Sequence, residues 1–557
     1  MNRHFFRRFY VMVALLGGSL ALSSCNDVLD SGAWVKPSIT LTKSDLTSIN
    51  YRDIVSHTYR SGTSYTYNAM PPTGDVNVLV IPVEFTGYPF VLKNDKDEIV
   101  YDRLADMNAM FNGTDSDVNY WKSLSGFYKE SSFNKLNIHA TIAETCQMNI
   151  TPSVFMADPD SNGKSTDYTS AVVSLLSKAV NDYKTLHGND STKAFDQDGD
   201  GIIDGVYLVY SSYDYQTAKA HSLSVNDTYW AFTARATPAP SVNSPNASNF
   251  TWASFDFMYS GVSEGVGVDS HTFVHETGHM LGLEDYYNYD DINDNANISL
   301  QYRHYTPTGA LDMMDYNILD HNMWSKFALG WGRPYVIDSS MTFPLTVTLK
   351  DSVSSDGDFI LIPDASSVYN GTAFGEYLMV ELYAPTGLNQ LDSETSYRGT
   401  RPHGFRSGGV KITHIDSRLA LYINNQGDYV DEVTEADLAS TNGTRFYSVV
   451  ASNTPSSSGE KAGYRLVHLL ESNASLTFDN YDEESGEPFP SYSYANDATL
   501  FTGNHLHNRF SMETFSAFFE NGTKFNNGHS FGYSIKVNQV QAASDGSYAA
   551  SITISKD

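Results

Sequence analysis

Hydrophobic residues follow two different spacings along the first half of the chain. The short, almost continuously apolar runs at 76–83 and 206–210 predict buried strands. Between them, residues 169–186 carry apolar side chains at the three-and-four spacing of an amphipathic helix. The same kind of pattern predicts helices at 101–111 and 119–130 and a half-buried strand at 135–142. Strands that alternate with helices indicate an α/β layer, and we predict an α/β (α+β) domain over 74–335.

The pattern changes after residue 335, where short apolar or alternating runs are separated by clusters of Gly, Ser, Asn and Asp. Predicted strands lie at about 342–350, 358–363, 376–383, 408–416, 445–451, 464–471, 531–541 and 548–555. Many short strands with turn-rich links predict an all-β, sandwich-like region over 336–557, in one or two modules. His414 and Asp416 share one face of a predicted strand, where we expect a surface pair rather than a metal site.

Composition excludes several classes of protein. The chain has 35 Lys+Arg against 65 Asp+Glu, a net charge of −30, so it lacks the basic surface that nucleic acids or anionic membranes attract. Apolar residues make up 41% and aromatic residues 13%, which indicates a folded chain. Two cysteines are too few for a disulfide framework.

The N-terminus predicts export. Three arginines precede an apolar run at 11–22, which has the length of a signal-peptide core and is too short to span a bilayer. The run ends in Leu-Ser-Ser-Cys, which resembles a bacterial lipobox. We therefore predict a signal peptide over 1–24, with cleavage before Cys25 and lipid on that cysteine; an ordinary secretion signal is the alternative. The mature protein would be anchored in the cell envelope, at the outer membrane or cell surface, with 25–73 as a spacer or short pro-segment.

An acidic loop before the strand at 206–210 predicts a calcium site. Carboxylates stand at positions 1, 3, 5 and 9 of a calcium-loop pattern, namely Asp196, Asp198, Asp200 and Asp204. Gly201 occupies the sixth position, where the loop turns sharply. Tyr207 takes the twelfth position in place of the usual bidentate glutamate, so a calcium ion would be bound less completely. An acidic turn without metal is the alternative.

The strongest chemical signal lies within residues 270–287. His275 and His279 are four positions apart, so a helix places them about 40° apart on one face, where two imidazoles can bind one metal ion. Glu276 lies about 100° around the helix from His275, which suits a base that takes a proton from water. These three residues predict a catalytic zinc site.

The third ligand follows from a predicted turn. Gly282 can adopt the left-handed conformation that ends a helix and returns the chain. The return would bring Asp285 to the metal and leave a fourth position open, as catalytic zinc sites require. Glu284 could serve instead, but the spacing favours Asp285 because Gly282 lies midway between it and His279.

These motifs together resemble a known family. His-Glu-x-x-His-x-x-Gly-x-x-Asp followed by a methionine turn resembles the metzincins. Leu-Asp-Met-Met-Asp-Tyr-Asn at 311–317 and Trp-Ser-Lys-x-x-Leu-Gly-Trp at 324–331 resemble the immune inhibitor A family of secreted bacterial zinc metallopeptidases. Three further segments resemble the same family, namely the strand at 76–85, the acidic loop at 196–204 and Phe-Tyr-Lys-Glu-Ser-Ser at 127–132. The resemblance spans about 75–335 and implies a metzincin-like catalytic domain that cleaves protein or peptide substrates.

The resemblance also suggests roles for two residues after the metal motif. Met314 would be the turn methionine, an apolar thioether beneath the zinc ligands. Tyr316 would stabilise the oxyanion of the reaction, or only pack beside the substrate. Other histidines, such as His271, His304 and His321, are not at ligand spacing, and we interpret them as structural or surface residues.

Three functions are compatible with these features. The first is an active, lipid-anchored zinc endopeptidase. The second is a binding lipoprotein on a retained peptidase fold, and the third is an adhesin whose β-region at 336–557 carries the function. The intact set His275, Glu276, His279 and Asp285 favours the first, because a silent homologue has no need of the base.

Overall fold

The computed structural model describes residues 32–45, 52, 57–60, 63–66, 69–114, 120–156, 168–225, 227–289, 306–355, 357–399, 401–423, 429–431, 445–454, 463–476 and 494–557. Cys25, the signal peptide and His304 lie outside them. Within them, no helix combines the length and apolar composition needed to cross a bilayer.

The strands are β1 (His57–Arg60), β2 (Thr63–Thr66), β3 (Gly74–Phe85), β4 (Val91–Lys93), β5 (Ile99–Asp102), β6 (Leu136–Ile142), β7 (Cys146–Met148), β8 (Ile202–Ile203), β9 (Val206–Tyr210), β10 (Phe232–Arg235), β11 (Asn246–Ala247), β12 (Asn249–Ser254), β13 (Tyr335–Val336), β14 (Leu345–Lys350), β15 (Phe359–Pro363), β16 (Glu376–Tyr383), β17 (Gly409–Asp416), β18 (Leu419–Ile423), β19 (Tyr429–Asp431), β20 (Arg445–Val449), β21 (Val467–Leu469), β22 (Arg509–Phe510), β23 (Tyr533–Ala542) and β24 (Tyr548–Lys556). The α-helices are α1 (Arg103–Asn112), α2 (Leu124–Ser131), α3 (Pro152–Phe155), α4 (Tyr168–His187), α5 (Tyr215–Ala220), α6 (His271–Met280), α7 (Met313–Tyr316), α8 (Met323–Ala328) and α9 (Gln390–Glu394).

Capping residues explain where two helices begin. The helix expected over 119–130 begins only at Leu124, because the hydroxyl of Ser123 accepts the N–H of Gly126 and caps it. Helix α8 begins at Met323, because the side chain of Asn322 accepts the N–H of Ser325. Side-chain acceptors of this kind satisfy the free N–H groups of a first turn, so they set where a helix starts.

The first domain is built on a mixed sheet in the order β10-β12-β9-β3-β6. Its strands are parallel except β10, which pairs antiparallel with β12 at one edge. Alternate residues of β3 point to opposite faces, as the strand period requires. Val78 and Val80 pack toward α1, α2 and α6, whereas Leu79 and Ile81 pack toward α4. The predicted α/β layer is confirmed.

The second domain is a β-sandwich that shares a core with the first. One sheet, β13-β15-β16-β17-β21, packs against a four-stranded sheet, β14-β24-β23-β22. Leu378 and Val380 of β16 face this sandwich core. The alternate residues Tyr377 and Met379 face the other way and belong to the same hydrophobic cluster as Phe273 of α6. The sheet is thus buried on both faces, once inside its own domain and once against the first domain.

Part of the N-terminal segment interpreted as a spacer is packed on this second domain. Ser38 exchanges hydrogen bonds with Thr346 of β14, and Lys43 forms an ion pair of 2.7 Å with Asp358. Further along, β1 pairs in parallel with β20. Met70 is buried and donates its N–H to the carbonyl of Met280, at the end of α6.

The expected surface pair in β17 is wrong. His414 and Asp416 are both buried, and His414 Nε2 lies 2.9 Å from Glu376 Oε1 of β16. Arg418 binds Asp416 through two hydrogen bonds, so the carboxylates of this cluster are compensated inside the fold. The alternating pattern of the strand could not show that both of its faces are covered.

Candidate metal centre

Helix α6 and the turn after it carry the predicted metal ligands. The helix ends at Met280, and Gly282 follows with φ +99°, a left-handed conformation that glycine adopts without a Cβ penalty. The N–H of Leu283 then bonds the carbonyl of Gly278, which closes the turn. The predicted reversal of the chain at Gly282 is therefore present, and it carries Asp285 back toward the helix.

Hydrogen bonds on the far side of each ring orient the two histidines. His275 Nδ1 lies 2.8 Å from the carbonyl oxygen of Met313, and His279 Nδ1 lies 2.8 Å from that of Leu283. A carbonyl only accepts, so each Nδ1 carries a proton, and Nε2 is the nitrogen of each ring that faces the place of a metal ion. Nε2 of His275 lies 3.0 Å and Nε2 of His279 lies 3.3 Å from the carboxylate of Asp285.

This arrangement fits a metal ion. The ligand atoms of His275, His279 and Asp285 all lie within 4.8 Å of one another, and Glu284 is not part of the cluster. Oδ1 of Asp285 is buried and lies 3.0 Å from Nε2 of His275, so the carboxylate faces the two ring nitrogens with which it would share a cation. Burial would raise the pKa of Asp285, but His279 and His275 outweigh it and hold that pKa well below its ordinary value. Two imidazoles and one carboxylate are a donor set that zinc accepts.

Glu276 lies beside the three ligands and is held from a neighbouring strand. Thr233 of β10 donates to Oε2 of Glu276 at 2.9 Å. Burial raises the pKa of Glu276, while His279, His275 and the Thr233 hydroxyl act in the opposite direction. The carboxylate is therefore fixed in place, with its proton affinity increased by its surroundings.

Residues 73–300 match the family described as immune inhibitor A peptidase M6, catalytic domain. The chain contains an M6 peptidase domain. The predicted family is thus confirmed, and the match includes all three metal ligands and Glu276. None of the curated proteins compared with the chain matches it. Membership of a metallopeptidase family implies a metal ion at the centre described above.

Met314, which the resemblance implies to be the turn methionine, packs against α6 at Gly278. Two hydrogen bonds hold the segment of Met314 next to the predicted ligands. The carbonyl oxygen of Met313 accepts from His275 Nδ1, and that of Met314 accepts from the N–H of Tyr286, next to Asp285. A Cβ on Gly278, in the middle of α6, would lie 2.3 Å from Met314 Sδ. Glycine at this position therefore lets the methionine approach the helix directly beneath the ligands.

Replacing Gly278 with alanine is expected to destabilise the protein by about 1–3 kcal/mol, because the added methyl group overpacks the contact with Met314. The helix preference for alanine, about 1 kcal/mol, acts in the opposite direction. The matched control is Gly126→Ala in α2, where the added Cβ meets only the Ser123 hydroxyl at 3.1 Å. Urea unfolding of both variants measures the difference, and equal stabilities would contradict the packing argument.

Tyr316 is buried, and two aromatic or cationic contacts of its ring come from the second domain. The guanidinium of Arg401 lies 4.3 Å above the ring, and the ring of Tyr494 lies 5.7 Å away, edge-on. The role of Tyr316 in stabilising an oxyanion remains a prediction.

The acidic loop brings three of its four predicted ligands together. Asp196, Asp198 and Asp200 form a cluster that could hold a cation. Asp204 lies outside this cluster, where its carboxylate accepts the N–H of Gln197 at 2.8 Å and burial raises its pKa to about 7. Arg52 forms an ion pair with Asp198. The calcium site stays a prediction.

A buried charge cluster at the start of α6 was not predicted. His271 lies 2.5 Å from Asp269 through Nδ1 and 3.6 Å from Asp392 of the second domain through Nε2. Its ring stacks between Trp121 and Tyr397, with both centroids at 4.2 Å. Burial alone would lower the pKa of His271, but the two carboxylates outweigh it and raise it to about 9. The prediction of a structural histidine is consistent with this environment.

The His271 cluster is expected to make the protein less stable as the pH rises from about 6.5 to about 9. The folded chain holds the His271 proton more tightly than the unfolded chain, so this contribution is complete below pH 6.5 and is lost through pH 9. Urea unfolding across this range measures the slope. His271→Gln should have a flatter slope, whereas replacement of the exposed His139 should leave it unchanged. An unaltered slope in His271→Gln would contradict the assignment.

Several residues that support the centre are far from it in sequence. Thr233 precedes Glu276 by 43 positions, and Asp392 lies in the other domain. Asn453 donates to the carbonyl of Tyr286, next to the third ligand. Nothing in their local patterns marks them. Gly278 is the exception, because a glycine inside a helical motif signals close packing.

Proposed function

We propose that the mature chain is a zinc-dependent endopeptidase that hydrolyses peptide bonds of extracellular proteins, with Glu276 as general base. The observation that carries the proposal is the convergence of His275, His279 and Asp285 beside a buried Glu276 in a peptidase M6 domain. We further propose that lipid on Cys25 anchors the protein in the cell envelope, which the lipobox-like sequence supports.

Each residue of the centre has a defined task. The three ligands would hold zinc, which when bound lowers the pKa of water and polarises a carbonyl group. Glu276 accepts the proton of the attacking water at its carboxylate and delivers it to the nitrogen of the leaving amine. The hydroxyl of Thr233 keeps Oε2 in position for both transfers.

The sheet edge beside Glu276 offers a place for an extended peptide. β10 is the last strand on its side of the sheet, and it holds Thr233 against Glu276. An edge strand presents unpaired N–H and C=O groups to which a peptide can add as a further strand. A substrate bound there would pass the metal centre with its backbone extended, as an endopeptidase requires.

Metal removal tests the proposal. Purified residues 26–557 are expected to contain about one zinc ion per chain and to cleave casein, with activity lost to a chelator and restored by zinc. Asp285→Ala should lose both zinc and activity, which separates this metal from any calcium. Zinc without cleavage of casein or of a mixed peptide library would favour the binding-lipoprotein alternative. Absence of zinc would contradict the proposal.

A further inference from the structure

An arginine-rich loop of the second domain lies against Tyr316, two residues after the turn methionine. Residues 398–406 read Arg-Gly-Thr-Arg-Pro-His-Gly-Phe-Arg, without an acidic residue, in a chain where acidic residues outnumber basic ones by 65 to 35. Among the described residues, no carboxylate forms an ion pair with Arg398, Arg401 or Arg406. Within the part of the chain that the structure describes, these guanidinium groups therefore have no carboxylate partner and could bind an anionic group.

Arg401 is the member of this loop that contacts the segment after the methionine turn. Its guanidinium stacks on the ring of Tyr316, 4.3 Å away. Tyr316 follows Met314 by two residues, and the 313–314 segment is bonded to His275 and to Tyr286 beside the third ligand. A bound peptide advances about 3.3 Å per residue, so a side chain a few positions from the scissile bond can reach this place.

The guanidinium of Arg401 is oriented by stacking, but its N–H groups have no hydrogen-bond acceptor among the described residues. Arg401 is half-buried and its side chain donates no hydrogen bond to any described residue. Stacking fixes one face of the planar group and leaves its N–H edge available, which is the geometry that binds a carboxylate through two hydrogen bonds. Arg398 differs, because its side chain donates to the hydroxyl of Ser260. The positive charge of Arg401 lowers the pKa of Asp315, although burial raises it overall. The carboxylate of Asp315 already accepts a hydrogen bond from the Thr308 hydroxyl.

We propose that Arg401 binds a carboxylate of the peptide substrate, so that the enzyme prefers peptides with an acidic group a few residues from the scissile bond. This inference rests on the proposed peptidase function and names the substrate class for it. The carboxylate can belong to a glutamate or aspartate side chain or to the C-terminus of a peptide.

Matched peptides test the preference. One set carries Glu or Gln at each position within three residues of the cleaved bond, and a second set ends in a free carboxylate or an amide. The wild-type chain, residues 26–557 with zinc, is expected to favour one acidic member over its neutral partner by about tenfold or more in kcat/KM, mainly through KM. The set in which the preference appears identifies the source of the carboxylate.

Variants of the loop assign the effect to Arg401. In Arg401→Gln the ratio between acidic and neutral peptides should fall to near one, and Arg401→Lys should retain part of it. Arg401→Glu should instead favour a Lys peptide, which a merely structural role would not produce. The matched control Arg398→Gln should keep the wild-type ratio.

The outcomes separate the two proposals. Efficient cleavage by the wild type with equal rates for acidic and neutral peptides would overturn the preference and leave the peptidase function intact. A preference that persists in Arg401→Gln would overturn its assignment to Arg401. If the zinc-loaded chain cleaved no peptide of either set, the peptidase function would fail and this inference with it.

Discussion

Glu276→Gln is expected to lower kcat for peptide hydrolysis by about 10²–10⁴-fold while zinc stays bound. Glutamine has nearly the same shape, so the hydrogen bond from Thr233 and the packing around α6 can persist. It cannot accept a proton at neutral pH, so the attacking water loses its base and the leaving amine loses its acid. Elemental analysis together with steady-state kinetics on one peptide measures both parts of this prediction.

Two further variants separate the base from the ligands that surround it. Asp285→Asn should lose zinc as well as activity, because the third ligand then carries no charge. Thr233→Val should keep zinc and lower kcat by a smaller factor, since it removes the hydroxyl that positions Oε2 and that also contacts the Glu276 carbonyl oxygen and the Thr251 hydroxyl. If Glu276→Gln cleaved peptides at the wild-type rate, or had lost its zinc, the role of Glu276 as general base would be wrong.

Local patterns were enough to predict the parts of this fold that depend on near neighbours in sequence. The helix expected over 169–186 is α4 (Tyr168–His187), and the strand expected over 376–383 has the bounds of β16. The spacing of His275 and His279 works in the same way, because a helix brings positions i and i+4 to one face whatever surrounds it. Asp285 could be chosen over Glu284 because one glycine sets the return of the chain.

Contacts between distant segments could not be predicted in this way. His414 and Asp416 have the alternation of a strand with one exposed face, yet the sheet is covered on both sides. A tertiary contact thus decides the environment of these side chains, and no short-range pattern encodes that contact.

Local patterns also could not show how the two domains contact each other. The hydrophobic pattern changes at residue 335, from predicted strands that alternate with helices to many short strands, and such a change suggests two separate domains. The structure instead places Tyr377, Met379 and Ile415 of the second domain in one cluster with Phe273 of the active-site helix. The β-region therefore shares its core with the helix that carries the predicted metal ligands, which weakens the interpretation of 336–557 as a separate adhesin.

Removal of residues 336–557 is accordingly expected to abolish both folding and activity of the remaining chain. The deletion would expose the shared core around Phe273 and remove the backbone and side-chain partners of the segment after the methionine turn. Asp392 accepts the N–H of Leu319, and Glu381 accepts the N–H of Met323 at the start of α8. Solubility, circular dichroism and zinc content of residues 26–335 measure the outcome, and a soluble, cooperatively folded and active fragment would contradict the argument.

Two point variants in α9 test, without a large deletion, whether the second domain stabilises the metal centre. Asp392 is buried, accepts the N–H of Leu319 and lies 3.6 Å from Nε2 of His271, whose nearer partner is Asp269. Asp392→Ala should therefore cost about 1–3 kcal/mol, because it leaves the Leu319 N–H without an acceptor. Glu394 lies two residues further on the same short helix and is exposed, so Glu394→Ala should change stability by no more than about 0.5 kcal/mol. Because Asp392 links the start of α6 to the segment after Met314, its loss should also weaken zinc binding, which Glu394→Ala should leave unchanged. Equal stability and equal zinc affinity in the two variants would show that the second domain supports the metal centre only through its hydrophobic contacts.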